Sequence, residues 1–252
     1  MVNIGERAVA VVTGGAGGIG SAICRKLAEA GMCVMVGYNR SADAAHRLAV
    51  SLPGKGHSAR LAPVTASAQL AALASGVAED YGRCDVLVNC AGTTRFVPHA
   101  DLDALNDDLI DQILATNVRG AFASVRAFRP LLEKSPLPGG GVVVNLSSAA
   151  GTIAMGSNVI YCASKAALDN MTKSLARALA PHIRVLSVSP AVVDTEFVKS
   201  FDRAWRNEQE ARTPLGRLST PEEVAAAVTA AVTTLTFATG CILAVDGGRT
   251  LA

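Results

Sequence analysis

A chain of 252 residues that is 50% apolar and 17% charged is long enough for one domain with a substantial buried core. Its 23 basic and 21 acidic residues leave a net charge of +2, too small to make nucleic acid or an anionic membrane a partner. No apolar run reaches the roughly 20 residues of a spanning helix, and Met1 leads almost directly into an apolar strand with no signal peptide, so a cytoplasmic protein is expected.

Short apolar runs alternate with segments of helical period. The runs are 8–12, 33–37, 59–62, 85–88, 141–146, 183–188 and 241–245. Apolar strands separated by helices mark a parallel sheet covered on both faces. Ile19, Ile23 and Leu27 recur every fourth residue and give the first helix one buried stripe. Gly31 follows that helix, residues 136–141 separate a helix from the fifth run, and Pro221 stands at a helix start. The expected fold class is α/β, a single domain over residues 1–252 with a doubly wound, seven-stranded parallel sheet. Cys24, Cys33, Cys84, Cys90, Cys162 and Cys241 include no C-x-x-C pair. They are expected to be reduced thiols packed as small core residues, with no metal site.

The first run ends in Thr13-Gly14-Gly15-Ala16-Gly17-Gly18-Ile19-Gly20 and passes straight into a helix. Glycines let the backbone turn tightly and approach a pyrophosphate, and the free N–H groups of the helix start favour its charge. Methyltransferases use similar turns. The spacing T-G-x-x-x-G-x-G resembles the coenzyme motif of the short-chain dehydrogenase/reductase family, with Gly14, Gly18 and Gly20 in the glycine positions and Gly17 and Ile19 among them. The resemblance extends over nearly the whole chain, on the 3-oxoacyl-carrier-protein reductase side of the family. It implies a Rossmann fold and an enzyme that moves a hydride between a nicotinamide dinucleotide and a ketone or secondary alcohol.

The second run ends in Gly37-Tyr38-Asn39-Arg40-Ser41. An acidic residue at this strand end holds both ribose hydroxyls and repels a 2′-phosphate, whereas a basic one attracts it. Tyr38 stands where NAD-preferring relatives carry Asp, and Asn39, Arg40 and Ser41 lie within reach of the phosphate, so NADP(H) is the expected cofactor. Gly17 occupies a position where many NADP-specific relatives place Arg or Lys, which leaves NAD(H) open. Asn89-Cys90-Ala91-Gly92 resembles the family's N-N-A-G segment, implying that Asn89, Ala91 and Gly92 line the adenine-ribose side of the pocket and that the segment steadies the central sheet. Pro63 replaces the usual Asp after the third strand, leaving the backbone of Val64 for the adenine. Ser189-Pro190-Ala191-Val192-Val193-Asp194-Thr195 resembles P-G-x-x-x-T. By that resemblance Pro190, the Val193 backbone and Thr195 hold the nicotinamide carboxamide. Ala191 and Leu186 depart from the family's usual glycine and asparagine.

Tyr161 and Lys165 stand four apart, on one face of a helix. A free phenol, with its pKa of about 10, exchanges a proton poorly near neutrality. A neighbouring ammonium favours the phenolate. Lys165 would also hold the nicotinamide ribose. Ser148 ends a buried strand 13 residues before Tyr161, and the resemblance places its hydroxyl beside the substrate oxygen as a small oxyanion partner. Ser147 is expected to face away. Asn117 matches the asparagine of the family's tetrad, which completes a proton relay. Residues 194–218 carry Phe197, Phe201 and Trp205 among many charges, and are expected to form a lid over the substrate.

The substrate expected is a small-molecule carbonyl or alcohol, a 3-oxoacyl thioester or a small ketone. Sugar, polyol and steroid oxidation fit the same residues, and a non-catalytic dinucleotide sensor is the alternative from another class. Arg126, Arg129 and Arg177 are weighed as a patch for an acidic acyl-carrier protein against ordinary surface arginines. A homotetramer is expected from the family, built on helices near 105–132 and 159–179 and on the last strands.

Overall fold

The structure, a computed structural model, describes residues 8–251. All seven apolar runs are strands of one parallel sheet: β1 (Val9–Thr13), β2 (Cys33–Tyr38), β3 (Ser58–Leu61), β4 (Val86–Asn89), β5 (Gly141–Leu146), β6 (Ile183–Pro190) and β7 (Ile242–Val245). Their order across the sheet is β3-β2-β1-β4-β5-β6-β7. The helices are α1 (Gly18–Glu29), α2 (Ala42–Ser51), α3 (Ser67–Tyr81), α4 (Asp107–Leu114) and α5 (Ala121–Leu132). After β5 come α6 (Ala150–Ile153), α7 (Val159–Leu179), α8 (Glu196–Lys199), α9 (Arg203–Ala211) and α10 (Pro221–Thr233).

Strand side chains alternate between the two faces, so the sheet divides the core in two. Ala10 and Val12 of β1 join Ile23, Leu27, Leu48 and Val228 on the α1, α2 and α10 side. Val9 and Val11 join Leu70, Leu73, Phe128 and Leu132 on the α3 and α5 side. Every residue of β1, β4 and β5 is buried, which explains why these strands read as unbroken apolar runs.

The helix expected over 105–132 is interrupted. A π-helical turn at Ala115–Gly120 separates α4 from α5. Two local contacts accompany it. Asn117 turns its amide inward to the backbone of Thr93, and Gly120, lacking a side chain, accepts Val64 so closely that a Cβ there would lie 2.9 Å from Val64 Cγ2. The chain leaves β1 for one half of the sheet and enters the other half at its neighbour β4. At such a reversal of strand order, loops diverge above the carboxyl ends of the strands and leave a crevice.

Candidate active site

The crevice is built from the β1 end outward. Thr13 Oγ1 donates to the carbonyl of Val88 at 3.3 Å and accepts from the N–H of Ala91 at 3.3 Å, tying the first turn to the loop after β4. Gly14 takes a positive φ of 66°, and a Cβ there would meet Ala91 Cα at 2.8 Å. A Cβ at Gly20 would lie 2.3 Å from the Gly14 carbonyl oxygen, so both positions require glycine. Gly17 is the N-cap of α1, which carries no acidic side chain in its first turn. Gly18 packs beneath Thr195, whose Cγ2 would stand 3.1 Å from a Cβ at that glycine. The turn is therefore a glycine-rich cradle at an uncapped helix start, with the chemistry for a pyrophosphate.

At the end of β2, the Tyr38 ring packs against His46 with centroids 5.9 Å apart. Asn39, Arg40 and Ser41 are exposed, and Arg40 makes no ion pair among the described residues. Val64 is buried against the π turn. The segment after β4 ties the middle of the sheet together. The Asn89 amide points into the α5 side of the sheet, donating to Asn145 Oδ1 at 2.9 Å and to the Ala121 carbonyl at 3.4 Å. Strand alternation sends it there, and Cys90 and Gly92 line the crevice. Burial pushes the Cys90 thiol up to about 11, while the charge of Lys165 works in the opposite direction.

The adjoining cavity has a volume of about 590 Å³, and Ser148, Tyr161, Lys165, Gly92, Ile19 and Pro190 are among its walls. Tyr161 sits in the first turn of α7, where its N–H donates to Asn158 Oδ1 at 2.7 Å. Lys165, one turn on, is buried. Its Nζ donates to the Leu146 carbonyl at 2.7 Å and lies 5.6 Å from the centre of the Tyr161 ring. The Ser148 hydroxyl accepts from the N–H of Ala150 at 3.2 Å. Ser147 turns its hydroxyl to the carbonyl of Lys165 at 3.3 Å, bracing α7, although it also contributes to the cavity wall.

Asn117 stands behind these three. Its Oδ1 accepts from the N–H of Thr93 at 2.8 Å, and its Nδ2 donates to the Thr93 carbonyl at 3.0 Å and to Ser164 Oγ at 3.1 Å. Gly92 lies between Asn117 and Lys165: one point, its would-be Cβ, is 3.5 Å from Asn117 Oδ1 and 3.8 Å from Lys165 Nζ. Val193 pairs with Ser219 in an isolated bridge, and Thr195 caps α8 by accepting from Val198 N at 3.4 Å.

Helices α8 and α9 wall the cavity opposite Tyr161. Phe201 stacks on Trp205 at 4.6 Å and meets Phe197 and Phe96 edge-on at 5.4 Å and 6.5 Å. Phe96, Met155, Arg212 and Arg249 also line the cavity and carried no signal in the sequence. They lie in four separate segments that only the fold brings together.

A family model described as enoyl-(acyl carrier protein) reductase matches residues 14–250. A relative named "Granaticin polyketide synthase putative ketoacyl reductase 2", from Streptomyces violaceoruber, is 38% identical over 248 residues, spanning 98% of this chain and 97% of its own length. The D-threitol dehydrogenase of Mycolicibacterium smegmatis is 37% identical over 249 residues, 96% of this chain and 93% of that one. The crystal structure of 3-ketoacyl-(acyl-carrier-protein) reductase from Brucella melitensis complexed with NADH superposes with a TM-score of 0.86 at 28% identity, covering 96% of this chain and 98% of the other.

Proposed function

The chain belongs to the short-chain dehydrogenase/reductase family, a class of oxidoreductases of carbonyl and CH–OH groups, and on that premise we propose that it reduces a ketone with NADP(H), using Tyr161 as the proton donor. Convergence carries this reading: Ser148, Tyr161 and Lys165 come from a strand end and a helix face to line one cavity beside the glycine cradle. The bare turn from Gly14 to Gly20 would hold the pyrophosphate, Arg40 and Ser41 the 2′-phosphate, and Lys165 and Thr195 the nicotinamide end. Bound there, the dinucleotide supplies the hydride.

The remaining work falls to the protein. Ser148 donates a hydrogen bond to the substrate oxygen as negative charge develops on it. Tyr161 gives its phenolic proton to that oxygen. Lys165, held by the Leu146 carbonyl, stabilises the phenolate left behind and passes a proton toward it. Asn117 fixes the Thr93 loop and shares the Gly92 notch with Lys165, which supports a position for it at the outer end of the relay. The α8–α9 segment acts as the lid, shielding the reaction from bulk water.

The aromatic wall favours an apolar ketone over a polyol. Arg126 lies 5.9 Å from the Phe122 ring centre and donates to Ser67 Oγ, and Arg129 pairs with Glu133, so carrier-protein docking is not part of the proposed function. No described helix is long and apolar enough to cross a membrane, and all six cysteines are free, which supports work in the reducing cytosol. Exposed Leu114 and Phe122 on the helix over 107–132 support pairing of that helix in a homotetramer, to be checked by light scattering.

The decisive experiment follows absorbance loss of NADPH and of NADH against a panel of ketones, with Tyr161→Phe alongside. Turnover that favours NADPH and collapses in the variant supports the proposal. Cofactor binding with no turnover of any ketone would sink it and leave a dinucleotide sensor.

A further inference from the structure

The cavity holds a charge that reduction of a simple ketone does not use. Arg249 lines it and is only 7% exposed, yet no carboxylate among the described residues pairs with it. Its guanidinium donates only to the neutral Gln209, from Nη1 to the backbone carbonyl at 3.1 Å and from Nη2 to Oε1 at 2.9 Å. A buried guanidinium without a counter-charge is costly, and natural cores rarely keep one that has no task.

The arginine is also deliberately aimed. It opens a short 3-10 turn, Arg249–Leu251, held in place by Asp246, whose carboxylate accepts from the N–H groups of Gly248 and Thr250 at 3.0 Å each and from Thr250 Oγ1 at 2.8 Å. That nearby acid is therefore spent on the turn. Arg212, just past the end of α9, reaches the same cavity. One arm contacts Glu208 Oε1 at 3.4 Å, and the other donates to the thioether of Met155 at 2.9 Å, a weak acceptor for so strong a donor. Burial first and then the charge of Arg212 lower the pKa of Arg249, with Glu208 raising it, which sets the three groups in one electrostatic neighbourhood. Two guanidinia against one carboxylate leave one positive charge in this part of the chamber, besides Lys165 at the proposed reacting end.

We propose that Arg249, assisted by Arg212, is a specificity-determining subsite for a carboxylate, so that the substrate is an oxo-acid or hydroxy-acid with an apolar ring or chain between its two functional ends. This rests on the reading of the cavity as the substrate site. The reacting carbonyl sits with Ser148 and Tyr161, the apolar body lies along Phe201 and Trp205, and the acid end accepts charge-assisted hydrogen bonds from the guanidinia. A neutral analogue leaves the buried charge unanswered and binds less well.

The test uses pairs of aryl and cycloalkyl ketones, each as the free acid and as its methyl ester, assayed with NADPH and the full-length chain. The acid is expected to exceed its ester in kcat/KM by about 10- to 100-fold, the span of one or two hydrogen bonds to a charged group. Arg249→Met should bring that ratio close to one while the ester rate survives. Gln209→Glu is the second variant. It keeps the guanidinium and the side-chain shape but places a carboxylate on it, and should erase the acid preference without lowering the melting temperature. Equal rates for acid and ester in the native enzyme would overturn the proposal, as would an acid preference unchanged in Gln209→Glu. Acid and ester falling together in both variants would show that Arg249 only braces α9, and would also overturn it. If no ketone at all is reduced, calorimetric titration with benzoate and with methyl benzoate still decides. Benzoate bound by the native protein and not by Gln209→Glu supports the subsite, and no binding refutes it.

Discussion

Lys165 Nζ lies 5.6 Å from the centre of the Tyr161 ring, one helical turn away, and is anchored on the Leu146 carbonyl at 2.7 Å. The phenol, the ammonium and the end of β5 thus form one rigid unit. Replacing Lys165 by Met keeps much of the volume and removes the charge. We expect kcat to fall by about 10²- to 10⁴-fold, the usual range for a lost acid–base partner. Dinucleotide affinity should fall too, because the proposed reading has the same ammonium hold the ribose. Tyr161→Phe should lower kcat by a similar factor and leave affinity nearly unchanged. Steady-state kinetics beside a fluorescence titration of NADPH separates the two, and an unaltered cofactor affinity in Lys165→Met would contradict the role given to lysine.

Arg40 offers an exposed guanidinium with no partner among the described residues at the end of β2. Arg40→Ala should weaken NADPH binding by about 10-fold or more, the worth of a hydrogen-bonded ion contact, and leave NADH binding unchanged. Gly17→Arg should do the reverse, since the position opens to solvent and only the Gly14 carbonyl lies near a Cβ, at 3.3 Å. Dissociation constants of both dinucleotides for both variants decide the matter. Equal losses for NADH and NADPH in Arg40→Ala would remove Arg40 from phosphate recognition.

A methyl group at Gly20 would be driven into the Gly14 carbonyl oxygen at 2.3 Å. Backbone on both sides leaves no flexible neighbour to yield. Gly20→Ala should therefore cost about 1–3 kcal/mol of stability, the range for an overpacked site, and impair NADPH binding as the turn widens. Thermal melts with and without NADPH provide the measurement. A melting curve superimposable on the native one would show that the turn is softer than its contacts imply.

Glu223 closes a capping box at the start of α10 and receives the Arg217 guanidinium. The Arg217 hydrogen bond first, then the Thr220 backbone N–H, hold its carboxyl down at about 2, below the usual carboxylate range near 4.3. A depressed carboxylate stabilises the fold above its unfolded pKa and loses that contribution as pH falls toward its folded value. Glu223→Gln should therefore melt earlier than the native protein at pH 7, with the gap closing between pH 4 and pH 2. The effect should be small because the pair is exposed and screened. A gap constant with pH would point to the cap geometry alone.

The central strands were legible because both faces of the sheet are covered there, which turns each into an apolar run. The edge strands β3 and β7, only partly buried, were legible from their place in the alternation with helices. Of the candidate site, where Ser148, Tyr161 and Lys165 line one cavity, the shared helix face of Tyr161 and Lys165 was legible through the helical period, and Ser148 through its place at a strand end. The π turn at Ala115–Gly120 was not, since one additional residue per turn leaves no mark on the apolar pattern. Arg212 and Arg249 were invisible as a pair, because they stand 37 positions apart in the chain and neither sits in a repeating pattern.

The position of β1 has a consequence for how this chain is made. Its partners are β2, close by in sequence, and β4, whose residues Val86–Asn89 emerge from the ribosome much later. Until then the Val-Ala-Val-Val stretch of the nascent polypeptide has one bare backbone edge and nothing to cover it, the kind of template on which other chains aggregate. Synthesis paused before β4 emerges should hence yield a sticky intermediate, whereas a pause after β4 has docked leaves β1 paired along both edges and moves the bare edge to β4, which waits for β5.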